Sequence, residues 1–251
     1  MKYLNLGCGS NYSKEKEWTN LDFVSSDKNV ISHNLLNGIP FPDEHFDLVY
    51  HSHVLEHFTK EDGEAFVAEC FRVLKKGGVL RIAVPCLETI ARNYLHFLEL
   101  GIKDPEKEKN KNMYEWTLIE MFDQTVRNFP GGSMGNYLKQ QNMPAEDFIY
   151  ERTGEEAKAY RKQFFSVNQN TNASQTPGIA SRLKSYLKNS GLKLLRINQA
   201  AHQIGNFRLS GEIHQWMYDR YTLYLLLKNN SATQVETKTA FSSYVSDWQK
   251  Y

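Results

Sequence analysis

Short apolar segments recur over residues 1–95 in the pattern of strands separated by loops and helices. Each segment is bounded by residues that favour turns or helix ends, which is typical of buried strands. The segments are Lys2–Leu6, Trp18–Phe23, Val30–His33, Phe46–Tyr50 and Val79–Val84. Because strands that alternate with helices pack in layers, the pattern predicts an α/β domain with a mainly parallel sheet.

The helix expected before the last of these strands has start and stop signals. Thr59, with Asp62 three residues later, resembles a capping box, so the helix is expected from about Lys60. Lys75-Lys76-Gly77-Gly78 predicts its end, because cations suit the last turn and glycine adopts the left-handed backbone that follows a helix. The apolar positions at helical spacing are Phe66, Val67, Cys70, Phe71 and Leu74.

Residues 96–212 break this alternation and are expected to form an insert. Helices are predicted over Met113–Val126 and Glu155–Phe165, and loops over 103–112 and Phe129–Gly135. The segment Asn168–Pro177 is rich in Asn, Gln, Ser and Thr and is predicted to be mobile. Ile179–Ile197 fits either one long helix or a helix broken at Gly191 and followed by a strand.

The α/β pattern resumes over residues 213–251. Asp219 is expected to cap a helix that carries Leu223, Leu226 and Leu227, and Thr233–Thr239 alternates as a strand does. We therefore expect a core of residues 1–95 and 213–251, interrupted by a substrate or lid region of residues 96–212.

Composition excludes several classes of protein. Lys and Arg number 30 against 29 Asp and Glu, so bulk charge does not favour nucleic-acid binding. No apolar run approaches the roughly 18 residues of a membrane span, and the N-terminus lacks the apolar stretch of a signal peptide. Cys8, Cys70 and Cys86 are sparse and odd in number, which favours a reducing cytoplasm over a disulfide scaffold.

The first strand leads into a glycine turn that is typical of nucleotide binding. Gly7 and Gly9 would let the backbone turn sharply and approach a ligand, although an ordinary strand-exit turn has the same pattern. A dinucleotide fingerprint has a third glycine where Tyr12 stands, and no P-loop lysine follows. Asp22, at the end of the second strand, is placed to accept hydrogen bonds from ribose hydroxyls.

Five ordered motifs over residues 2–86 give the sequence a resemblance to a known family. They are Leu4–Gly9, the acid Asp22, Ile39–Asp43, Phe46–His57 and Arg72–Gly78. In this order they resemble the class I S-adenosylmethionine-dependent methyltransferases, closest to the group that modifies small molecules. The resemblance implies a Rossmann-like fold and S-adenosyl-L-methionine as cofactor.

The resemblance also implies roles for individual residues. It places Gly7, Cys8 and Gly9 under the methionine part of the cofactor, Asp22 on the ribose and Phe23 beside the adenine. Asn34 and Leu35 match the adenine edge, although Asn34 replaces the usual acid and would accept a hydrogen bond through its amide oxygen. His51 lies in the loop expected to open onto the methyl group. The family's usual helix between the first two strands is nearly absent, and its closing hairpin is represented only by 233–239.

The segment His53-Val54-Leu55-Glu56-His57 admits three interpretations. His-x-x-Glu-His matches an inverted zinc-protease signature, and some methyltransferases with Glu-x-x-Glu-His bind a divalent ion. We favour an interpretation without a metal, in which Glu56 and His57 form a hydrogen-bonding pair that fixes the loop. His53 is then the candidate general base, since a neutral imidazole can remove a proton from a hydroxyl or amine. The alternative for His53 is a passive position in the wall of the pocket.

A second cluster, Gly211–Asp219, resembles a segment found in a subgroup of these enzymes near sugar and natural-product pathways. His214 is the reserve candidate for the base, and Tyr218 and Trp216 are candidate substrate contacts. The alternative is a core-packing role, in which Trp216 and Met217 are buried.

These observations predict a cytoplasmic methyltransferase that acts on a small molecule. The acceptor would be a sugar, a glycan precursor or a secondary metabolite, methylated on oxygen or nitrogen by in-line displacement. A non-catalytic S-adenosylmethionine-binding module is the alternative, and a nicotinamide-dependent oxidoreductase is a further one that Tyr12 opposes.

Overall fold

The computed structural model describes residues 1–10, 12–25, 27–170, 198–245 and 248. The chain divides into two compact units, Met1–Glu88 with His214–Tyr251 (unit 1) and Thr89–Ile213 (unit 2). These bounds lie close to the core and insert expected from the sequence. Residues 171–177 of the polar segment predicted to be mobile, and Ile179–Ile197, lie outside the described residues.

Unit 1 contains a five-stranded, all-parallel sheet. The strands are β1 (Tyr3–Leu6), β2 (Trp18–Asp22), β3 (Val30–Ser32), β4 (Phe46–Ser52) and β5 (Leu74–Ala83), in the order β3-β2-β1-β4-β5. All four residues of the central strand β1 are buried, as expected for a strand covered on both faces. The predicted mainly parallel, Rossmann-like α/β fold is therefore confirmed.

Both units contain helices. They are α1 (Lys60–Val73), α2 (Leu87–Lys103), α3 (Glu108–Val126), α4 (Gly132–Leu138), α5 (Glu146–Asn170), α6 (Gln199–Arg208) and α7 (Arg220–Asn229). Short 3₁₀ turns lie at Leu35–Asn37 and Leu55–His57. Among the described residues of the link between β1 and β2, 10 and 12–17, there is no helix, as expected. None of the helices in the described part of the chain is long and apolar enough to cross a membrane.

The main core of unit 1 packs α1 and α7 against the sheet. Its fully buried members include Leu4, Leu6, Leu21, Val49, Leu55, Val67, Cys70 and Val73. Thr59 caps α1, because its hydroxyl accepts a hydrogen bond from the Asp62 amide at 3.1 Å. Both the start of α1 and its apolar face agree with the sequence prediction.

The end of α1 differs from the prediction. The helix ends at Val73 and β5 begins at once with Leu74, so Lys75–Gly78 belongs to the strand instead of a separate turn. The pairing of β5 with β4 shifts register between Phe46 and Leu48. Gly77 has a φ of 76°, a backbone conformation that suits this irregular start of the strand.

The predicted strand Thr233–Thr239 is wrong, because these residues, all described, form no ladder with the sheet. The segment is held instead by a side chain of the neighbouring strand. The Arg81 guanidinium donates to the carbonyls of Thr239, Ala240 and Ser242 at 3.1, 3.2 and 2.9 Å, and lies 4.4 Å from the Trp248 ring. Within the described residues β5 therefore remains the edge of the sheet.

Two loops predicted in unit 2 are partly helical. Helix α3 begins at Glu108, inside the charged stretch 103–112, and α4 begins at Gly132, inside Phe129–Gly135. The predicted helix Glu155–Phe165 lies within α5, which also contains a non-helical residue at Gly154. The core of the unit comprises Trp116, Tyr137, Leu138, Met143, Ile149 and Ala157.

A buried carboxylate explains why a glycine-rich stretch begins α4. Asp123 of α3 accepts hydrogen bonds from the amides of Ser133 and Met134 at 2.6 and 3.3 Å and pairs with Arg127 at 2.8 Å. An acid at the start of a helix satisfies amides that have no partner within the helix. The capping carboxylate is thus supplied by the preceding helix α3.

Asp219 caps α7 as predicted, and its removal has a measurable cost. Its carboxylate accepts from the Tyr221 and Thr222 amides at 3.0 and 2.8 Å, and the Thr222 hydroxyl accepts from the Asp219 amide at 3.0 Å. We expect Asp219→Ala to lower the free energy of unfolding by about 1 kcal/mol, and Asp219→Asn, which can still cap, by much less. Urea unfolding of the three proteins measures this. Equal loss in both variants would contradict the cap.

Candidate active site

The glycine turn and the acid predicted to act together are in direct contact. Gly7 and Gly9 follow β1 with φ angles of 63° and 54°. The Gly9 amide donates to Asp22 Oδ2 at 2.8 Å, and the Cys8 amide donates to the Leu21 carbonyl at 3.1 Å. The turn is therefore fastened to the end of β2 at the carboxyl edge of the sheet, where ligands bind in open α/β folds.

The surroundings of Asp22 suit a nucleoside. Asp22 Oδ1 also accepts from the Val24 amide at 3.2 Å, which fixes the carboxylate at the strand end. Two apolar residues that directly follow Asp22 are exposed, Phe23 at 68% and Val24 at 66%. Ile31 in β3 and Leu36 in the turn after it are also exposed, at 45% and 58%. A planar apolar base beside a hydrogen-bond acceptor for hydroxyls fits these residues.

Asn34 has a structural role in the same edge. Its side-chain oxygen accepts from the Leu36 amide at 3.0 Å and caps the 3₁₀ turn Leu35–Asn37. Leu35 is half-buried and packs against the main core of unit 1. Asn34, which stands where the family usually has an acid, therefore uses its side-chain oxygen to cap this turn.

Cys8 does not supply a nucleophile. Its side chain is buried, and burial, assisted by the negative charge of Asp22, raises the pKa of the thiol to about 11. The residue contributes its backbone to the turn, and its thiol remains protonated at neutral pH.

His51 is paired with Leu6 near the carboxyl edge of the sheet, but its side chain is buried. It is fully buried, and its ring packs edge-on against Phe66 of α1 with centroids 5.1 Å apart. Burial, opposed by the charge of Glu56, lowers the pKa of His51 to about 4, so the imidazole is neutral. The expected contact between His51 and the cofactor has no support from this position.

His53 and Glu56 form an oriented pair. His53 has a φ of 55°, and its Nδ1 lies 3.1 Å from Glu56 Oε1. The His53 side chain is 54% exposed and that of Glu56 is fully buried. Because a carboxylate at Nδ1 selects the tautomer with its proton there, Nε2 is the acceptor nitrogen of the neutral ring.

Glu56 is held in its ionised form. Burial acts to raise the pKa of its carboxyl. The hydrogen bond from His53, a backbone hydrogen bond and the charges of His53 and His214 outweigh burial, and the pKa is lowered overall. The sequence interpretation paired Glu56 with His57, whereas the structure pairs it with His53.

The returning segment 214–216 fastens this loop. The Gln215 and Trp216 amides donate to the Glu56 carbonyl at 2.8 and 3.2 Å, and the Gln215 side chain donates to the His57 carbonyl at 2.7 Å. His214 is 3% exposed, and its ring meets that of His57 edge-on at 4.8 Å. His53 and His214, predicted from distant motifs, thus lie around one carboxylate. Gln215 was not predicted, because nothing in the sequence identifies its partner.

Trp216 and Tyr218 differ in exposure. Trp216 is 39% exposed, with the Lys60 ammonium 5.8 Å from its ring. Tyr218 is 3% exposed, burial raises its pKa to about 12, and a Cβ added at Gly63 would lie 2.6 Å from its hydroxyl. Its backbone carbonyl also accepts from the Leu87 amide at 2.9 Å. Trp216 is therefore accessible to a substrate, and Tyr218 is a core residue.

Part of the chain is similar to known proteins. Residues 10–82 match the family described as "Methyltransferase domain". Over 55 residues the chain is 44% identical to a Mycolicibacterium smegmatis protein named "Probable S-adenosylmethionine-dependent methyltransferase". These 55 residues are 22% of this chain and 21% of that protein. The match thus spans about a fifth of the length of this curated relative.

The matched residues include Asp22, the loop 53–57 and most of the parallel sheet. Residues 10–82 are therefore similar to a methyltransferase domain, and together with the similarity to an S-adenosylmethionine-dependent relative this confirms the resemblance to class I methyltransferases drawn from the sequence. S-adenosyl-L-methionine is the cofactor of that class.

The two glycines of the turn differ in the space around them. A Cβ at Gly7 would collide with the Val54 side chain, whereas one at Gly9 would meet nothing within 4 Å. Both have positive φ, so alanine at either costs roughly 1–2 kcal/mol of backbone strain. We expect Gly7→Ala to cost on the order of 1–3 kcal/mol more than Gly9→Ala, from overpacking. Chemical denaturation tests this, and equal stability of the two variants would refute the close packing at Gly7.

Proposed function

We propose that this protein is an S-adenosylmethionine-dependent methyltransferase with a small-molecule acceptor. The observation that carries the proposal is the contact between the Gly7–Gly9 turn and Asp22 at the carboxyl edge of a parallel sheet. Asp22 lies within the residues 10–82 that match a methyltransferase domain, and the Gly7–Gly9 turn directly precedes them. S-adenosylmethionine supplies an electrophilic methyl group on sulfur when it is bound.

The residues of the turn would bind the cofactor through backbone and side chain. Gly7, Cys8 and Gly9 offer main chain that a ligand can approach closely, and Asp22 offers carboxylate oxygens to ribose hydroxyls. Phe23, which is 68% exposed, offers an apolar face to the adenine, and Asn34 and Leu35 would border it. His51 is left out of this set because it is fully buried.

His53 is the proposed general base for an oxygen acceptor. Its half-exposed ring presents the acceptor nitrogen Nε2, while buried Glu56 fixes the tautomer and would stabilise the imidazolium that forms. The remaining work of the site is to hold the acceptor in line with the methyl group. His214, the reserve candidate, is 3% exposed and is therefore less accessible to an acceptor.

Several observations support a small acceptor. The balance of 30 basic and 29 acidic side chains offers no bulk attraction to nucleic acid. Exposed Trp216 offers an aromatic surface for the ring of a sugar or of a secondary metabolite. We assign residues 96–212 to acceptor binding. The three cysteines are free thiols, which supports a cytoplasmic location.

The cofactor assignment predicts the effect of changing Asp22. We expect Asp22→Ala to weaken S-adenosylhomocysteine binding by roughly 1.5–3 kcal/mol, the value of hydrogen bonds to a charged group. Asp22→Asn, which can still accept from Gly9, should lose less. Glu61→Ala, at an exposed carboxylate in the first turn of α1, should bind as the wild type does. Calorimetry showing full affinity in Asp22→Ala would overturn the assignment.

The role of His53 predicts a loss in turnover rather than in cofactor binding. Once methyl transfer to a panel of sugars and phenols has identified an acceptor, His53→Ala should lower kcat by about 10²–10⁴-fold. S-adenosylhomocysteine affinity should be unchanged. His45→Ala, at the amino end of β4 and the opposite edge of the sheet, is the matched control. A rise in KM with normal kcat in His53→Ala would show a binding contact instead of a base.

A further inference from the structure

Three potential metal ligands converge beneath the proposed base. Glu56, His57 and His214 each offer one ligand atom, and these atoms lie within 4.8 Å of one another. Glu56 and His214 are buried and His57 is half-buried, so the cluster is not a group of solvated surface charges. We propose that Glu56, His57 and His214 form a binding site for a first-row divalent cation of the zinc type.

The donor set selects the class of cation. Two imidazoles and one carboxylate suit zinc and its first-row neighbours, whereas magnesium and calcium prefer oxygen ligands throughout. The sequence interpretation left the loop 53–57 without a metal. The structure adds His214, a third potential ligand at the start of the second sequence segment of unit 1, which the pattern His-x-x-Glu-His did not contain.

A second observation points to a cation at Glu56. Its two carboxylate oxygens have different surroundings: Oε1 lies 3.1 Å from His53 Nδ1, whereas Oε2 is buried with no hydrogen-bond partner among the described residues. A buried carboxylate oxygen without a partner is costly, and a bound cation removes that cost. His53 would then be the outer residue that orients a metal-bound carboxylate, a common arrangement around protein metal ions.

The backbone around the cluster is already fixed. The Glu56 carbonyl accepts two amides from the segment 214–216, and the His57 carbonyl accepts from the Gln215 side chain. These bonds hold the loop and the returning segment together, so a cation would find its ligands assembled. The two rings also meet edge-on at 4.8 Å, which keeps both imidazoles in the cluster.

The cation site goes beyond the proposed methyl transfer and does not depend on it. A cation there would cross-link the two segments of unit 1 that precede and follow unit 2 in the sequence. It would also engage His214 as a ligand, which leaves His53 as the base.

The test is cation binding by the full, untagged chain after treatment with a chelator. Zinc chloride, titrated by calorimetry, should bind at one ion per chain, and cobalt should give visible absorption bands of a low-coordinate site. His57→Gln and His214→Gln should each weaken zinc binding at least tenfold. His96→Gln, an exposed histidine in α2, should not change it. Zinc should raise the melting temperature of the wild type more than magnesium does.

The outcomes separate this proposal from the methyltransferase assignment. Absence of zinc binding, or full affinity in a folded His57→Gln variant, would overturn the site. If the variant at buried His214 does not fold, the His57→Gln variant, at a half-buried residue, and the effect of zinc on the melting temperature of the wild type still test the cation site. S-adenosylhomocysteine affinity is measured in the same samples. A wild-type chain that binds zinc but not S-adenosylhomocysteine would contradict the cofactor site and support the cation site.

Discussion

The buried charge of Glu56 is the constraint on which the candidate active site depends. Moving a carboxylate out of water costs on the order of several kcal/mol unless other groups compensate it. Here the compensation comes from His53, from a backbone hydrogen bond and from the charge of His214. These groups therefore meet around one buried carboxylate, and the hydrogen bonds of segment 214–216 to the loop hold that arrangement.

Solvent exposure also determines what Asp22 can do at the carboxyl edge of the sheet. Asp22 is partly exposed, so it can serve the Gly9 and Val24 amides and still present oxygens to a ligand. Glu56 is closed off and acts through other residues. Two carboxylates at one end of a sheet thus have different functions because their access to solvent differs.

Local signals in the sequence predicted the parts of the fold that local forces determine. The apolar runs located the strands, and Thr59 and Asp219 located the helix starts, because a cap acts within three residues. The start of α4 was missed because its cap, Asp123, comes from another helix. The strand over 233–239 was wrong because alternation does not create a pairing partner, and Arg81 holds the neighbouring carbonyls instead.

For the candidate site, the sequence predicted some of the contacts that the structure shows between residues. The sequence placed the glycine turn after the first strand and Asp22 at the end of the second, and the two are in contact because these strands are neighbours in the sheet. The burial of His51 could have been found from alternation in β4, which places it on the face of Val49, a core residue. The meeting of Glu56 with His214 could not, since it depends on how a segment more than 150 residues away returns to the sheet.

The docking of the C-terminal segment through Arg81 has a consequence for behaviour in concentrated solution. Strand β5 keeps an unpaired edge among the described residues, and such an edge can recruit a strand from another molecule. Lys75, Lys76 and Arg81 place positive charge along it. Lys75 and Lys76 also pair with Asp47 and Glu44 at 2.7 and 3.7 Å. Charged side chains on an edge strand oppose such strand pairing, so we expect this edge to resist self-association.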